Sequence, residues 1–194
     1  MKKLLLTYFT PFGWEMTNAS AEAAKLLPET IGEWTLEKME LPVVFGLAGE
    51  RCLALIETLR PEAVLMLGQA AGREAVTPEL VARNARWARI PDNAGNEPKG
   101  EPVVQGGEDA LFATLPVRAM TEAIRAADLP AFLSADAGRY VCNDLYYTVL
   151  QTLRTPAFSE KPIPAAFVHV PSAQTLSPER TALALEAAIQ AISL

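Results

Sequence analysis

Apolar and polar residues along the chain follow the period of a strand in some segments and the period of a helix in others. Strand-like patterns occupy residues 3–9, 34–41, 63–67, 79–87, 131–134 and 165–170. Residues 79–87 alternate only weakly and also suit a helix, and we predict a strand there. Helix-like patterns occupy residues 19–27, 44–59, 117–127, 142–153 and 178–192. Strands that alternate with helices are typical of an α/β fold. We expect residues 1–194 to form a single domain of three α/β/α layers around a twisted, mostly parallel mixed sheet.

Turn-forming and helix-capping residues predict where several elements begin and end. A turn at residues 10–13 closes the first strand, and Asn18 or Ser20 can cap the helix that follows. Residues 90–107 are rich in Pro, Gly and Asn and lack periodicity, which predicts a long loop. Long loops without secondary structure in compact domains are often functional.

Composition excludes several classes of function. The formal net charge is -6, and no cluster of Lys and Arg suits nucleic acid. No segment has the length and apolarity of a membrane span, and the N-terminal apolar run is too short for a secretory signal, so we expect a cytoplasmic protein that does not bind membranes. Two cysteines and one histidine make neither a disulfide framework nor a recognisable zinc site. We therefore expect no metal.

The two cysteines have different surroundings. Cys142 follows a glycine-containing turn and precedes an apolar-periodic helix, whereas Cys52 lies inside a helix-like apolar run and is interpreted as core. Unpaired N–H groups and the macrodipole at a helix N-terminus stabilise an anion, so we expect the Cys142 thiol to ionise more readily than a free thiol. Burial as a small apolar residue is the alternative for Cys142.

His169 is the only histidine of the chain, so any cysteine–histidine mechanism within one chain must use it. A base also needs a third group that fixes its tautomer, and a carboxylate suits this role. Glu79 and Asp92 are the candidates, and the pattern alone leaves both open. Ligands of open α/β sheets bind outside the carboxyl ends of the strands. Phe9, Gln69, the turn before Cys142 and His169 all lie at such ends.

Six short segments together resemble one family. They are residues 7–13 (TYFTPFG), 40–43 (ELPV), 68–73 (GQAAGR), 89–96 (RIPDNAGN), 137–143 (AGRYVCN) and 169–171 (HVP). In this order they are similar to the motifs of the pyroglutamyl peptidases type I, also called pyrrolidone-carboxylate peptidases. Tyr8 and Ala71 stand where that family has glycine, which predicts an altered pocket shape and substrate range.

The resemblance implies a cysteine peptidase that removes an N-terminal pyroglutamate from small peptides without a cofactor. Cys142 would be the nucleophile, His169 the general base and then acid, and Glu79 the carboxylate that orients His169. The reaction would pass through a thioester. The family also often forms tetramers, which makes a homo-oligomer an expectation here.

The substrate ring is a flat, neutral lactam, so its pocket should combine aromatic walls with a few fixed polar groups. The residues expected to bind substrate are Phe9, Phe12, Gln69, Val141 and Arg89. Phe9 and Phe12 would form walls, Gln69 would offer its amide donor and acceptor, and the Val141 backbone would complete the hydrogen bonds. Arg89 would assist by its position in the loop motif.

Two other functions remain open from the sequence. One is a related cysteine amidase that uses the same three residues on another small acyl group. The other is a catalytically silent binding protein that keeps the fold. The silent protein would have a slowly alkylated Cys142, whereas a panel of acyl substrates would identify the amidase.

Overall fold

A computed structural model describes residues 1–158 and 161–193 of the chain. The strands of the described residues are β1 (Lys2–Phe9), β2 (Thr30–Ile31), β3 (Trp34–Leu41), β4 (Ala63–Gln69), β5 (Thr77–Glu79), β6 (Val81–Arg83), β7 (Ala110–Phe112) and β8 (Ala165–Val170). The helices are α1 (Ala19–Leu26), α2 (Leu47–Leu59), α3 (Val117–Ala126), α4 (Val141–Leu153) and α5 (Pro178–Gln190), with a 3₁₀ turn at Pro156–Phe158.

One sheet contains six of these strands within residues 1–158 and 161–193, in the order β2-β3-β1-β4-β8-β5. The pairs β3–β1, β1–β4 and β4–β8 are parallel, whereas β2 and β5 pair antiparallel at the two edges. Strands β6 and β7 form a separate antiparallel pair. The predicted mostly parallel mixed sheet is therefore confirmed.

Apolar residues on both faces of the central strands explain the three layers. Leu4 and Leu6 of β1 pack in the cluster that contains buried residues of α1, α3 and α5. Leu5 and Phe9 point to the other face, into the cluster with residues of α2 and α4. A strand covered on both faces must be apolar throughout, which is why the central strands lack polar alternation. The predicted α/β/α fold is confirmed.

The predicted single strand at residues 79–87 is wrong. Residues 77–79 and 81–83 form β5 and β6, which belong to different sheets. The chain beyond β6 bonds to loops instead of a strand: the Asn84 N–H donates to the Asp109 carbonyl, and the Trp87 N–H to the Arg139 carbonyl. Long-range partners, which periodicity does not reveal, decide this segment.

The predicted strand at residues 131–134 is also wrong, since only isolated bridges form at Ala131 and Ser134. The Val76 N–H donates to the Pro130 carbonyl and the Leu80 N–H to the Ser134 carbonyl. Pro78 lies midway between Val76 and Leu80, at the position that would donate the next hydrogen bond to residues 131–134. Proline has no N–H to donate. The ladder is interrupted there.

Most helix and loop boundaries agree with the sequence. Asn18 is the cap of α1, because its side chain accepts from the Ser20 N–H. Helix α2 begins at Leu47, after Gly46 with a φ of 75°, instead of at residue 44. Residues 90–107 contain no helix or strand of the described set, as predicted, although residue 99 bridges to Trp87. The short strands β2 and β7 were not predicted.

Candidate active site

Sheet topology brings the predicted strand-end residues to one edge. Parallel β1, β4 and β8 end at Phe9, Gln69 and Val170, and the register pairs Gly68 of β4 with His169 of β8. The antiparallel edge strand β5 pairs Thr77 with His169, which brings the nearby Glu79 to the same edge. This edge is the site of the candidate chemistry.

Helix α4 delivers Cys142 to this edge. The chain turns at Gly138 with a φ of 76°, and the helix begins at Val141 without a side-chain cap from Tyr140. Cys142 therefore lies in the first helical turn, where backbone N–H groups have no carbonyl partner inside the helix. Those N–H groups are free to face an anion.

Two polar residues after the cysteine hold this helix start in place. Asn143 accepts from the Arg83 N–H at 2.8 Å, and its amide donates to the Arg83 carbonyl at 2.9 Å. Asp144 pairs with Arg86 at 2.5 Å and accepts from the Gly46 N–H at 2.7 Å. Both side chains are fully buried, so the first turn of α4 is tied to β6 and to the start of α2.

The sulfur of Cys142 lies directly beside Gly68. A Cβ atom on Gly68 would be 2.8 Å from the Cys142 Sγ and 2.7 Å from the Phe167 ring. Only a glycine leaves room for the thiol at this rung of the sheet. Because Gly68 is paired with His169, the thiol and the imidazole share one level of the sheet edge.

Burial changes the protonation expected for both cysteines. Desolvation raises the pKa of Cys142 to about 12, and the nearby Glu79 carboxylate adds to the rise. Both effects act against the predicted ready ionisation of the Cys142 thiol, because the loss of water opposes the helix N-terminus. Cys52 is fully buried in the core as predicted, and desolvation raises its pKa to about 12 as well.

His169 contacts one of the two candidate carboxylates. Its Nδ1 lies 2.7 Å from the Glu79 Oε1, and the two side chains are 5% and 0% exposed. A carboxylate accepts, so Nδ1 carries the proton and Nε2 is the nitrogen that can receive one. Desolvation lowers the pKa of His169, although the hydrogen bond to Glu79 opposes the change. Asp92 instead accepts from the N–H groups of Phe45, Ala94 and Asn96 in its own loop region.

Arg73 is the site residue that sequence reasoning missed. Its Nη1 lies 2.6 Å from the same Glu79 Oε1 and also bonds to the Thr77 hydroxyl, while Nη2 donates to the Asp136 carbonyl at 2.7 Å. The Glu79 Oε2 has no hydrogen-bond partner within residues 1–158 and 161–193. The one signal in the sequence was a single arginine in the GQAAGR motif.

A small pocket collects most of the predicted substrate-binding residues. Its lining includes Phe9, Phe12, Gln69, Val141 and Cys142. Its volume is about 30 Å³, which holds little more than a water molecule. The pocket brings these five residues together around one small opening at the Cys142 thiol.

Both polar atoms of the Gln69 side chain already have a hydrogen-bond partner. Its Nε2 donates to the Glu15 Oε2 at 2.6 Å, and its Oε1 accepts from the Ala19 N–H at 2.6 Å. The expected free amide donor is thus occupied by a carboxylate of the same chain. A ligand carbonyl that bonds to Gln69 Nε2 has to replace Glu15 or share the donor group with it.

The remaining predicted residues lie outside the small pocket. Arg89 lines a neighbouring cavity. Tyr8, 8% exposed, packs in the cluster on the face of the sheet opposite Phe9, beneath the Lys25 ammonium group. Ala71 is exposed in the turn after β4. Neither of the two positions where the family has glycine lines the pocket that contains Cys142.

Two further findings bear on function. No group of three or more His, Cys, Asp or Glu side chains in the described residues is placed to hold a metal ion. No helix within residues 1–158 and 161–193 is long and apolar enough to cross a membrane.

A thiol, an imidazole and a carboxylate lie at one edge of this α/β/α fold, and comparison with known proteins assigns the chain to the cysteine peptidases. The chain belongs to the pyroglutamyl peptidase family, whose sequence model matches residues 2–194. A pyrrolidone-carboxylate peptidase of Levilactobacillus brevis is 48% identical over 169 residues, which cover 87% of this chain and 81% of that protein. One from Thermococcus onnurineus is 43% identical over 191 residues, covering 97% and 94%.

Solved structures agree with this assignment. The crystal structure of the Bacillus amyloliquefaciens pyroglutamyl peptidase I has a TM-score of 0.93 and 36% identity, covering 99% of this chain and 97% of that one. The pyrrolidone carboxyl peptidase of Thermococcus litoralis has a TM-score of 0.92 and 32% identity, covering 99% and 93%. The resemblance seen in the six sequence motifs is confirmed.

Proposed function

We propose that this protein hydrolyses the amide bond after an N-terminal pyroglutamate, with Cys142, His169 and Glu79 as its catalytic groups. The observation that carries the proposal is the 2.7 Å contact between His169 and Glu79, at the rung of the sheet where Gly68 makes room for the Cys142 sulfur. Membership of the pyroglutamyl peptidase family supports the choice of substrate.

The protonation states at rest define the first step. Burial keeps the Cys142 thiol neutral and the His169 imidazole unprotonated. His169 Nε2 therefore takes the thiol proton as the sulfur attacks the pyroglutamyl carbonyl carbon. Glu79 holds the Nδ1–H and stabilises the imidazolium that forms.

The tetrahedral intermediate then collapses. The carbon–nitrogen bond breaks, the imidazolium gives its proton to the leaving amine, and a thioester remains on Cys142. A water molecule, deprotonated by His169, attacks the thioester, and the thiolate leaves and recovers the proton. The products are pyroglutamate and the shortened peptide.

The unpaired N–H groups of the first α4 turn stabilise the oxyanion of both intermediates. They belong to the helix start at residues 141–143, which Asn143 and Asp144 hold in place. A fixed donor of this kind typically contributes about 2.7–4 kcal/mol to the transition state. The same rigid start positions the nucleophile and the oxyanion donors relative to each other.

The small pocket recognises the lactam ring. Phe9 and Phe12 contact its faces, and the Val141 backbone and the Gln69 side chain make its hydrogen bonds. Binding brings the lactam carbonyl to Gln69 Nε2, where it replaces the Glu15 carboxylate or shares the amide group with it. An unblocked amino acid cannot satisfy these groups and is rejected.

The site acts on small peptides with a blocked N-terminus, and Arg89 lies beside the pocket on the path of the peptide. We further propose a cytoplasmic location and a homo-oligomeric state, the tetramer that the family resemblance implies. Sedimentation equilibrium measures the oligomeric state, and cell fractionation measures the location.

Release of a fluorescent amine from a pyroglutamyl amide tests the proposal. The wild-type protein should be active, and Cys142→Ala and His169→Ala should lose at least about 10³-fold in kcat. Glu79→Gln should also lose a large factor, up to about 10⁴-fold in kcat, because it removes the charge that stabilises the imidazolium and its amide can fix the wrong tautomer of His169. Cys52→Ala is the matched thiol control and should stay active, since Cys52 is buried in the core away from the site.

Three results would contradict the proposal. Equal hydrolysis of unblocked aminoacyl amides would reject the lactam pocket. Inactivity on pyroglutamyl amides with hydrolysis of another acyl amide would indicate the related amidase. Inactivity on every acyl amide of the panel would favour the silent binding protein.

A further inference from the structure

A second cavity opens beside the small pocket. It has a volume of about 390 Å³, within the range of ligand sites, and its walls include Trp87, Arg89, Ile90 and Arg139. Phe12 and Tyr140 line both cavities and form the wall between them.

Chain connectivity places the second cavity next to the reacting atoms. Residues 138–140 line the larger cavity, and residues 140–142 line the smaller one. The same short segment therefore passes from one cavity to the other and ends at the Cys142 thiol. A peptide with its first ring in the small pocket and its scissile carbonyl at the Cys142 thiol would have its next residue near this boundary.

We propose that the larger cavity binds the residue that follows the pyroglutamate and favours a large apolar side chain there, with an acidic group tolerated better than a basic one. This inference rests on the proposed function and adds to it a preference for the leaving side of the peptide. The residues assigned to that preference are Trp87 and Arg139.

The apolar walls are exposed in the free protein. Trp87 is 49% exposed and Ile90 is 48% exposed, large fractions for side chains of this kind. The backbone around Trp87 is fixed, because its N–H donates to the Arg139 carbonyl at 2.7 Å and it bridges to Lys99. Burial of this exposed apolar surface by a ligand is favourable, and the fixed backbone keeps the entropy cost of binding low.

Tyr140 makes the boundary between the cavities rigid. Its hydroxyl donates to the Pro91 carbonyl at 3.1 Å, and its ring packs edge-on against Phe45 with centroids 5.3 Å apart. The loop that carries Arg89 and Ile90 is thereby tied to the start of α4. The larger cavity keeps its shape without a ligand, which reduces the cost of binding.

The charge of the cavity opposes the charge of the protein. Arg89 and Arg139 are exposed, and neither belongs to an ion pair within residues 1–158 and 161–193. The whole chain carries a formal charge of -6. Two cations at this cavity favour a carboxylate and disfavour a lysine or arginine side chain of the peptide.

The test compares four pyroglutamyl dipeptide amides that carry Phe, Ala, Glu or Lys after the pyroglutamate, assayed by kcat/KM. The wild-type protein should prefer Phe to Ala by about tenfold, the discrimination that a modest apolar contact provides. It should also prefer Glu to Lys, and this preference should weaken as salt rises.

Two substitutions separate the apolar and the charged contributions. Trp87→Ala should reduce the Phe-to-Ala ratio to about one while the rate on the Ala substrate changes less than about threefold. Trp87→Leu keeps an apolar wall and should retain part of the ratio, which also guards against a folding defect. Arg139→Gln should weaken the Glu-to-Lys preference, to which Arg89 still contributes, and leave the Phe-to-Ala ratio unchanged.

Matched controls lie outside both cavities. Phe112→Ala removes an exposed aromatic residue of β7, and Arg118→Gln removes an exposed arginine of α3. Both should leave the two ratios at the wild-type values. Unchanged ratios in Trp87→Ala and Arg139→Gln, with all four substrates still cleaved, would overturn the subsite alone. A wild-type protein that cleaves none of the four would reject the proposed function and the subsite with it.

Discussion

Arg73→Gln is the substitution that most directly tests how the candidate triad is held together. In the wild-type protein the Glu79 Oε1 receives both the Arg73 guanidinium at 2.6 Å and the His169 Nδ1–H at 2.7 Å. Glu79 is completely buried, and the Arg73 side chain is 20% exposed. Removal of the guanidinium leaves a buried carboxylate without its cation.

The expected loss of stability follows from this burial. Breaking a buried ion pair by removing one partner costs about 3–5 kcal/mol. Arg73 keeps some contact with water, and glutamine can still donate one hydrogen bond towards the Asp136 carbonyl, so we expect about 2–4 kcal/mol. Urea unfolding followed by circular dichroism measures this difference at pH 7.

Activity should change through kcat. A Glu79 side chain without Arg73 no longer holds one position against His169, so the base loses its orientation while the lactam pocket keeps its lining. We expect kcat to fall about 10–100-fold with KM changed less than about threefold. Arg73→Lys keeps the charge and should recover part of kcat.

Arg125→Gln is the matched control for the same chemical change. Arg125 pairs with Glu122 on the surface of α3, and the two side chains are 49% and 70% exposed. An exposed pair of this kind contributes about 0–1 kcal/mol, so this variant should unfold close to the wild-type midpoint. Equal unfolding free energies for Arg73→Gln and Arg125→Gln, or a fall in kcat/KM caused by KM alone, would refute the positioning role.

Four other substitutions or conditions have defined outcomes. Gly68→Ala should abolish turnover while the protein stays folded by circular dichroism, since its Cβ would lie 2.8 Å from the Cys142 sulfur, and an active variant would contradict this packing. Because burial lowers the pKa of His169, the base takes up its proton at a lower pH than a free imidazole, and the acidic limb of kcat/KM should shift to lower pH accordingly. Because burial raises the pKa of Cys142 to about 12, iodoacetamide should react more slowly than with free cysteine at pH 8 and faster at each higher pH. Glu15→Ala frees the Gln69 amide and should lower KM for pyroglutamyl amides, whereas an unchanged KM would show that Glu15 does not compete with substrate.

The architecture was predictable because the fold is built from long apolar segments. Strands β1, β4 and β8 are buried on both faces and therefore appear in the sequence as continuous apolar runs. Short elements were not predictable in the same way. The break at Pro78 in the ladder to residues 131–134 depends on a register between segments about fifty residues apart, which local periodicity does not contain.

Some residues of the candidate site could be recognised from local sequence, whereas others depend on contacts between distant segments. The identities of Cys142 and His169 followed from a turn before a helix and from the single imidazole, and the structure identifies Glu79 instead of Asp92 as the carboxylate beside His169. Arg73 was missed because its role depends on a contact made inside the fold. The position of Tyr8 on the far face of the sheet likewise follows from strand register, since it alternates with Phe9 along β1.

The raised pKa of the Cys142 thiol changes what a reactivity measurement can decide. From the sequence, slow alkylation of Cys142 would indicate a silent binding protein. In the structure, burial and the nearby Glu79 carboxylate raise the thiol pKa to about 12 whether or not the protein is an enzyme. A thiol that loses its proton only during attack, to an unprotonated His169, is slow towards iodoacetamide and still competent towards a bound substrate. Slow alkylation together with hydrolysis therefore indicates general-base activation, and only slow alkylation without turnover on any acyl amide indicates the silent protein.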